Sequence, residues 1–222
     1  MTQHAPALLE PRKTPVQARS TASVSAILEA TIQVLLDGGK DRLTTTRVAA
    51  RAGVSVGTLY QYFPNKSALL QAVLKRHFSE ITNAIESVCQ EQRGKSLSQM
   101  ATALVTAFLA AKMKDVNTSL ALYSIAGDVD AEKIVRQVGI RTSKAVAEML
   151  ETSHEQLTED PRLIASMLQG TMAGVSRRLL ESRSPEKEVE TFRRELIVLA
   201  CAYLNACSLG SGQKRISQRE TP

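Results

Sequence analysis

The chain has 222 residues and a formal charge of +6, with 43% apolar residues, 4% aromatics and no Trp. Ala, Leu, Val and Ile supply the apolar mass, which suits packed helices in one medium domain or a small domain joined to a larger one. Three Cys (Cys89, Cys201, Cys207) without a CxxC exclude a disulfide framework or a zinc ribbon.

No segment approaches the roughly 18 consecutive apolar residues of a membrane span, and no apolar stretch follows the N-terminal charges as in a secretory leader. The expectation is a soluble cytoplasmic protein with no membrane partner. Charge is unevenly placed: residues 1–77 hold ten Lys/Arg and four Asp/Glu, whereas residues 78–222 hold eighteen of each. A polyanion partner for the first third follows.

Residues 1–18 are Pro-rich and basic with no apolar period, which predicts a flexible arm. Arg19, beside the first helix, is placed for a phosphate contact. The first helix is predicted over Thr21–Asp37, with Val24, Ile27, Leu28, Thr31, Ile32, Leu35 and Leu36 forming one buried stripe. Gly38-Gly39 closes it.

A second helix is predicted over Thr45–Ala52 with Thr44 as its N-cap. Val48, Ala49 and Ala52 face inward, and Arg47 and Arg51 can face out. The Thr44 and Thr45 hydroxyls, with the first amides of this helix, suit a phosphate. Gly53 permits a tight turn, and Ser55 caps a third helix ending near Tyr62. There Leu59 and Phe63 face the core with Val54. Left on the other faces are Val56, Gly57, Thr58, Tyr60, Gln61 and Tyr62. Gly57 lets the backbone approach a base edge, Thr58 and Gln61 can read bases in a major groove, and the tyrosine hydroxyls suit phosphate oxygens.

Pro64-Asn65 ends that helix and starts a fourth, predicted to about Gln92. At roughly 27 residues and about 1.5 Å each it would span about 40 Å, long enough to leave one domain and enter another. Lys66, in its first turn, opposes the helix dipole, so a phosphate contact is expected there and a stabilising role is not.

The run Val48-Ala49-x-x-Ala52-Gly53-Val54-Ser55-x-Gly57-x-Leu59-Tyr60-x-Tyr62-Phe63-x-Asn65-Lys66 resembles the DNA-binding domain of the tetracycline-repressor (TetR) family of bacterial transcription regulators. Pro15-x-Gln17-x-Arg19-Ser20 and Ala26-Ile27-Leu28-Glu29-Ala30 extend the likeness over residues 15–77. The resemblance implies an all-α homodimer of about nine helices. Three N-terminal helices bind double-stranded DNA, and a larger C-terminal domain binds a small molecule. It also implies that Thr45, Ser55, Tyr60, Tyr62 and Lys66 contact phosphates and that Val56, Gly57, Thr58 and Gln61 lie where bases are read. Val56 is apolar where some relatives carry a polar or charged reader.

Domain boundaries are expected at 1–18 (arm), 19–66 (DNA-binding), 67–207 (ligand-binding and dimerisation) and 208–222 (disordered tail). In the second domain, amphipathic helices are predicted over Leu97–Lys114, Asn117–Ala126, Asp130–Thr152, 161–182 and 185–207. The last two carry apolar residues on more than one face, which calls for two partners and makes them the expected homodimer contact. Phe108, Met113, Leu120, Tyr123, Met149, Met167 and Met172 are candidates to line an apolar effector pocket, because Met and aromatics make adaptable walls.

No P-loop, GxSxG or HExxH occurs, and the three His (His4, His77, His154) are far apart. No enzyme, cofactor or metal site is expected. The family resemblance implies a ligand-responsive repressor released from a palindromic operator. The alternative is a DNA-binding adaptor whose C-terminal domain holds protein partners. An enclosed cavity of roughly 300 Å³ or more would separate the two.

Overall fold

The computed structural model describes residues 18–126 and 131–209, apart from the side chains of residues 18, 19 and 126. Residues 1–17 of the expected arm, residues 210–222 of the expected tail and the Arg19 side chain lie outside the described residues. Among the described residues there are nine α-helices and no strand: α1 Ala18–Arg42, α2 Thr45–Arg51, α3 Val56–Tyr62, α4 Lys66–Glu91, α5 Leu97–Met113, α6 Val116–Ala126, α7 Glu132–Leu150, α8 Pro161–Leu180 and α9 Pro185–Ala206.

Local chemistry sets the helix ends. Gly39 leaves helical geometry at φ 66° and ψ −175°, which interrupts α1 where the paired glycines stand. The Thr44 side chain accepts from the Arg47 amide at 3.3 Å to start α2. Ser55 accepts from the Thr58 amide at 3.0 Å to start α3, and Asn65 Oδ1 accepts from the Ala68 amide at 2.8 Å to start α4. Each satisfies a backbone donor that the first helical turn leaves without an internal partner. Asp160 does the same for α8, which carries Pro161 in its first turn.

The chain divides into two compact units, each drawn from two segments. Among the described residues, one comprises those up to Glu80 together with those of 114–138; the other comprises Ile81–Met113 and those from Gly139 onward. A cut at 66/67 does not describe this division. Instead α4 contributes Lys66–Glu80 to the first unit and its remainder to the second, and α6 belongs to the first unit.

The first unit buries Ile27, Val48, Leu59, Phe63 and Leu69, each 1% exposed or less. Leu122 and Ile125 of α6 join this cluster, and α6 packs on α1. Burying one such side chain stabilises by about 1.5–3 kcal/mol before the ordering entropy is subtracted. Leu36, expected in the buried stripe of α1, is 43% exposed.

In the second unit α5 supplies Leu97, Met100, Leu104 and Leu109, all essentially buried, and packs against α9 and α8. The connection before α8 is stitched to the start of α5. Glu155 Oε2 accepts from the Leu97 amide at 2.6 Å, and its negative charge suits a helix N-terminus. Thr152 Oγ1 accepts from the Gly94 amide at 2.8 Å.

Ser208 and Leu209 depart from the expected disordered tail. The Thr158 amide donates to the Cys207 carbonyl at 2.8 Å and the Leu209 amide to the Gln156 carbonyl at 2.9 Å. Cys207 is buried, so backbone groups beside it require protein partners. Cys89, Cys201 and Cys207 are all free thiols. Burial, with a smaller contribution from Glu86, pushes the Cys89 thiol up to about 12, which makes it a packing residue and a poor nucleophile.

Candidate nucleic-acid interface

The interface candidate is built from α2, the turn at Gly53 and α3. Gly53 has φ 67°, a left-handed backbone that a Cβ would strain, and it turns the chain between the two helices. Leu59 and Phe63, 0% and 1% exposed, pin one side of α3 into the first unit's core. Because they lie four residues apart, the residues offset from them must face outward. Val56, Gly57, Tyr60 and Gln61 are accordingly exposed, with Val56 at 37% and Tyr60 at 40%.

Several hydroxyls on this surface are already engaged. The Tyr60 hydroxyl and Thr45 Oγ1 are 3.2 Å apart and share a hydrogen bond, which joins the start of α2 to the middle of α3. The Ser55 and Thr58 hydroxyls are 2.8 Å apart. Thr58 is half-buried and turned towards the cap, so its hydroxyl is not an idle reader of bases. Tyr62 is also half-buried and packs against the core cluster. Gln61 is exposed, and no hydrogen bond engages its side-chain amide among the described residues.

The cations are positioned by α1. Lys66 Nζ donates to the Lys40 carbonyl at 3.3 Å. That corrects the expectation of no stabilising role, since a cation beside the carbonyls that end α1 is favourable even where it opposes the dipole of its own helix. Arg51 does not simply face out: it pairs with Asp37 at 2.6 Å and donates to Gln33 at 2.9 Å. Arg47, which is exposed, donates to the Arg42 carbonyl at 3.4 Å. Thr44 is exposed as the cap of α2. Helical periodicity carries no sign of the Lys66 and Arg51 contacts, because their partners are 26 and 14 or more residues away.

Gly57 differs from the turn glycines. A Cβ built on it would meet Ser55 Oγ at 3.7 Å, an ordinary contact, and nothing nearer. The fold does not require glycine there.

The seven apolar residues proposed to line an effector pocket are divided between the two units. Phe108, Met149 and Met172 are buried in the second unit's core, with Met113 packed against it. Met167 is 52% exposed on α8. Leu120 and Tyr123 are exposed on α6, which belongs to the first unit. The second unit carries instead an open groove of about 640 Å³, lined by Val88 and Gln92 of the α4 end and Gln99, Thr102, Ala103 and Ala107 of α5. None of the seven lines it. The small side chains that open it read in sequence as ordinary helix surface, so pattern alone could not mark it.

Among the described residues no group of three or more His, Cys, Asp or Glu could hold a metal ion, and no helix is long and apolar enough to cross a membrane.

Two family profiles match the chain in tandem. One, described as bacterial regulatory proteins of the tetR family, covers residues 27–73; the other, a tetracyclin repressor-like C-terminal domain, covers residues 96–204. The HTH-type transcriptional repressor KstR of Mycobacterium tuberculosis is 49% identical over 55 residues, which is 25% of this chain and 25% of KstR. The chain thus spans about a quarter of the length of the first curated relatives it matches. A TetR-family transcriptional regulator from Mesorhizobium loti superposes with a TM-score of 0.68 at 20% identity, covering 87% of this chain and 100% of that one. A TetR-like transcriptional regulator from Rhodococcus sp. RHA1 superposes at 0.62 with 25% identity, covering 87% and 99%.

Proposed function

The chain belongs to the tetracycline-repressor family, and from that premise we propose that it is a homodimeric transcriptional repressor which a small molecule releases from a near-palindromic DNA operator. The observation that carries this reading is α3. Its core side is pinned by Leu59 and Phe63, and its outer side presents Val56, Gly57, Tyr60 and Gln61 to solvent. All of the chain's net positive charge lies in the same third of the sequence. A short helix offered in this way suits a major groove, with Thr44, Thr45, Arg47, Ser55, Tyr60, Tyr62 and Lys66 holding flanking phosphates. Arg19 is assigned to the same backbone contacts. No catalytic activity is part of this reading.

Homodimerisation is assigned to α8 and α9. Leu163 and Met167 of α8 are 53% and 52% exposed, and Val198 and Leu199 of α9 are 63% and 48% exposed. Gly170 and Gly174 are also exposed on α8, which lets a second helix approach closely. Exposed apolar faces on two neighbouring helices favour a four-helix contact between copies. Two recognition helices would then meet half-sites roughly 34–36 Å apart. A small effector held by the second unit belongs to this reading through the match to a tetracyclin repressor-like C-terminal domain; the groove of about 640 Å³ beside α5 is open and not the enclosed cavity that would by itself favour an effector over protein partners. That effector must favour the state that does not bind DNA, since equal affinity shifts nothing.

The test is selection of genomic fragments by the full chain, followed by gel shift with wild type and Lys66→Met. The expected result is a specific shift that Lys66→Met weakens while leaving the oligomer unchanged. A chain that retains no fragment above non-specific binding would sink the proposal.

A further inference from the structure

The outer face of α3 also carries information about which bases it meets, and the following inference rests on the DNA-binding reading above. The face has three properties. First, it holds no Arg or Lys: Val56–Tyr62 reads Val-Gly-Thr-Leu-Tyr-Gln-Tyr. Arginine and lysine on guanine O6 and N7 make the commonest specific contact in the major groove. The nearby cations, Arg47, Arg51 and Lys66, are all turned to α1 or its end.

Second, its polar groups are unequal. The hydroxyls of Thr58 and Tyr60 are bonded within the protein, whereas the Gln61 amide is exposed and unbonded among the described residues. A glutamine amide offers one donor and one acceptor side by side, which matches adenine N7 and N6. Val56, exposed and apolar, matches the thymine methyl.

Third, Gly57 stands one helical turn before Gln61 on the same outer face. A Cβ there would fit within the free protein, and glycine inside a helix is destabilising relative to alanine. Since neither space nor backbone angle among the described residues explains it, an external surface that comes closer than a methyl group allows does.

The geometry points to an operator half-site whose core is A·T, with Gln61 bonded in bidentate fashion to an adenine, Val56 against a thymine methyl, and Gly57 at the closest approach of the helix to the base edges. Specificity then comes from one amide pair and from apolar contact, with no charged group reading a guanine.

Selection of bound duplexes from a random library by the full chain tests this, followed by fluorescence anisotropy at one fixed salt concentration. Three duplexes are compared: the selected site, the site with 7-deazaadenine at each core adenine in turn, and the site with deoxyuridine at each core thymine in turn. Wild type, Gln61→Ala and Val56→Ala are each measured, with circular dichroism to show that the variants fold. Wild type is expected to lose about fivefold or more in affinity at one 7-deazaadenine position per half-site, and Gln61→Ala to be indifferent to the same replacement. Loss of a thymine methyl should weaken wild type and leave Val56→Ala unchanged.

A selected core of G·C pairs would overturn the inference, as would a Gln61→Ala protein as sensitive to 7-deazaadenine as wild type. Either result leaves the DNA-binding function standing. Failure to enrich any duplex would overturn both.

Discussion

Replacing Gly57 with alanine should move stability and DNA binding in opposite directions. The added Cβ has only Ser55 Oγ within 4 Å, at 3.7 Å, and the backbone at this position is ordinary helix. No steric cost is therefore incurred in the free protein. Alanine is preferred over glycine in helices by about 0.5–1 kcal/mol, and the lower figure applies in the first turn of a short helix. A gain of about 0.5 kcal/mol corresponds to a Tm rise of roughly 1–2 °C for a chain of this size.

On DNA, under the close-approach proposal, the same methyl would sit where the helix backbone is nearest the base edges. An atom forced into a close-packed surface costs about 1–3 kcal/mol, which is roughly a 5- to 150-fold loss of affinity. Thermal unfolding by circular dichroism and anisotropy titration on the selected operator at constant salt measure the two effects. Unchanged DNA affinity would refute the close-approach argument. A fall in Tm would refute the claim that the fold tolerates a side chain there.

The other glycine of the motif should behave in the opposite sense: Gly53→Ala forces a Cβ onto φ 67° and is expected to destabilise by about 1–2 kcal/mol, read as a lowered urea midpoint. Val198→Glu tests the α9 face. The residue is 63% exposed in the single chain, so monomer stability should shift by no more than about 0.5 kcal/mol, whereas an unpaired carboxylate buried between copies costs several kcal/mol. Sedimentation velocity should show dissociation, and a retained dimer would remove α9 from the interface. Lys112 is 4% exposed near the end of α5, and burial lowers its pKa from 10.5 to about 8. The unfolded state binds the extra proton between those values, so this group makes stability rise with pH from about 8 to 10.5. Lys112→Met should flatten that rise, as read from denaturant midpoints on either side of pH 8.

Much of the reading head was legible because its determinants are local. Thr44, Ser55 and Asn65 cap helices three residues downstream, Gly39 and Gly53 take the left-handed backbone, and Leu59 and Phe63 share one side of a short helix. A capping hydroxyl or a positive φ acts within a few residues, so a linear pattern displays it. What was missed depends on distant partners. Lys66 and Arg51 were read from their position on their own helices alone, and the structure adds contacts from both to α1. The expected tail at Ser208 and Leu209 is instead paired with residues 156–158, again a contact between distant segments.

The effector residues illustrate the same limit more severely. Met113, Met149, Met167 and Met172 share a chemistry, but one is exposed on α8 and two are core. Leu120 and Tyr123 fall in a different compact unit from the other five. An amphipathic stripe says that a residue is buried or not, and carries no label for the helix that buries it.

The sequence by itself determined the family, the helical architecture and the ends of the helices around Gly53, because helix caps, turn glycines and the 3.6-residue period are properties of neighbouring residues. Only the tertiary structure decided which side chains of those helices are spoken for and which remain available. Among the described residues it left Gln61 without a hydrogen bond while engaging Thr58, Tyr60 and Lys66, and it placed nothing near Gly57 that requires it to lack a side chain. Those distinctions depend on where other segments place their carbonyls and hydroxyls, and such contacts arise only when the chain has closed upon itself.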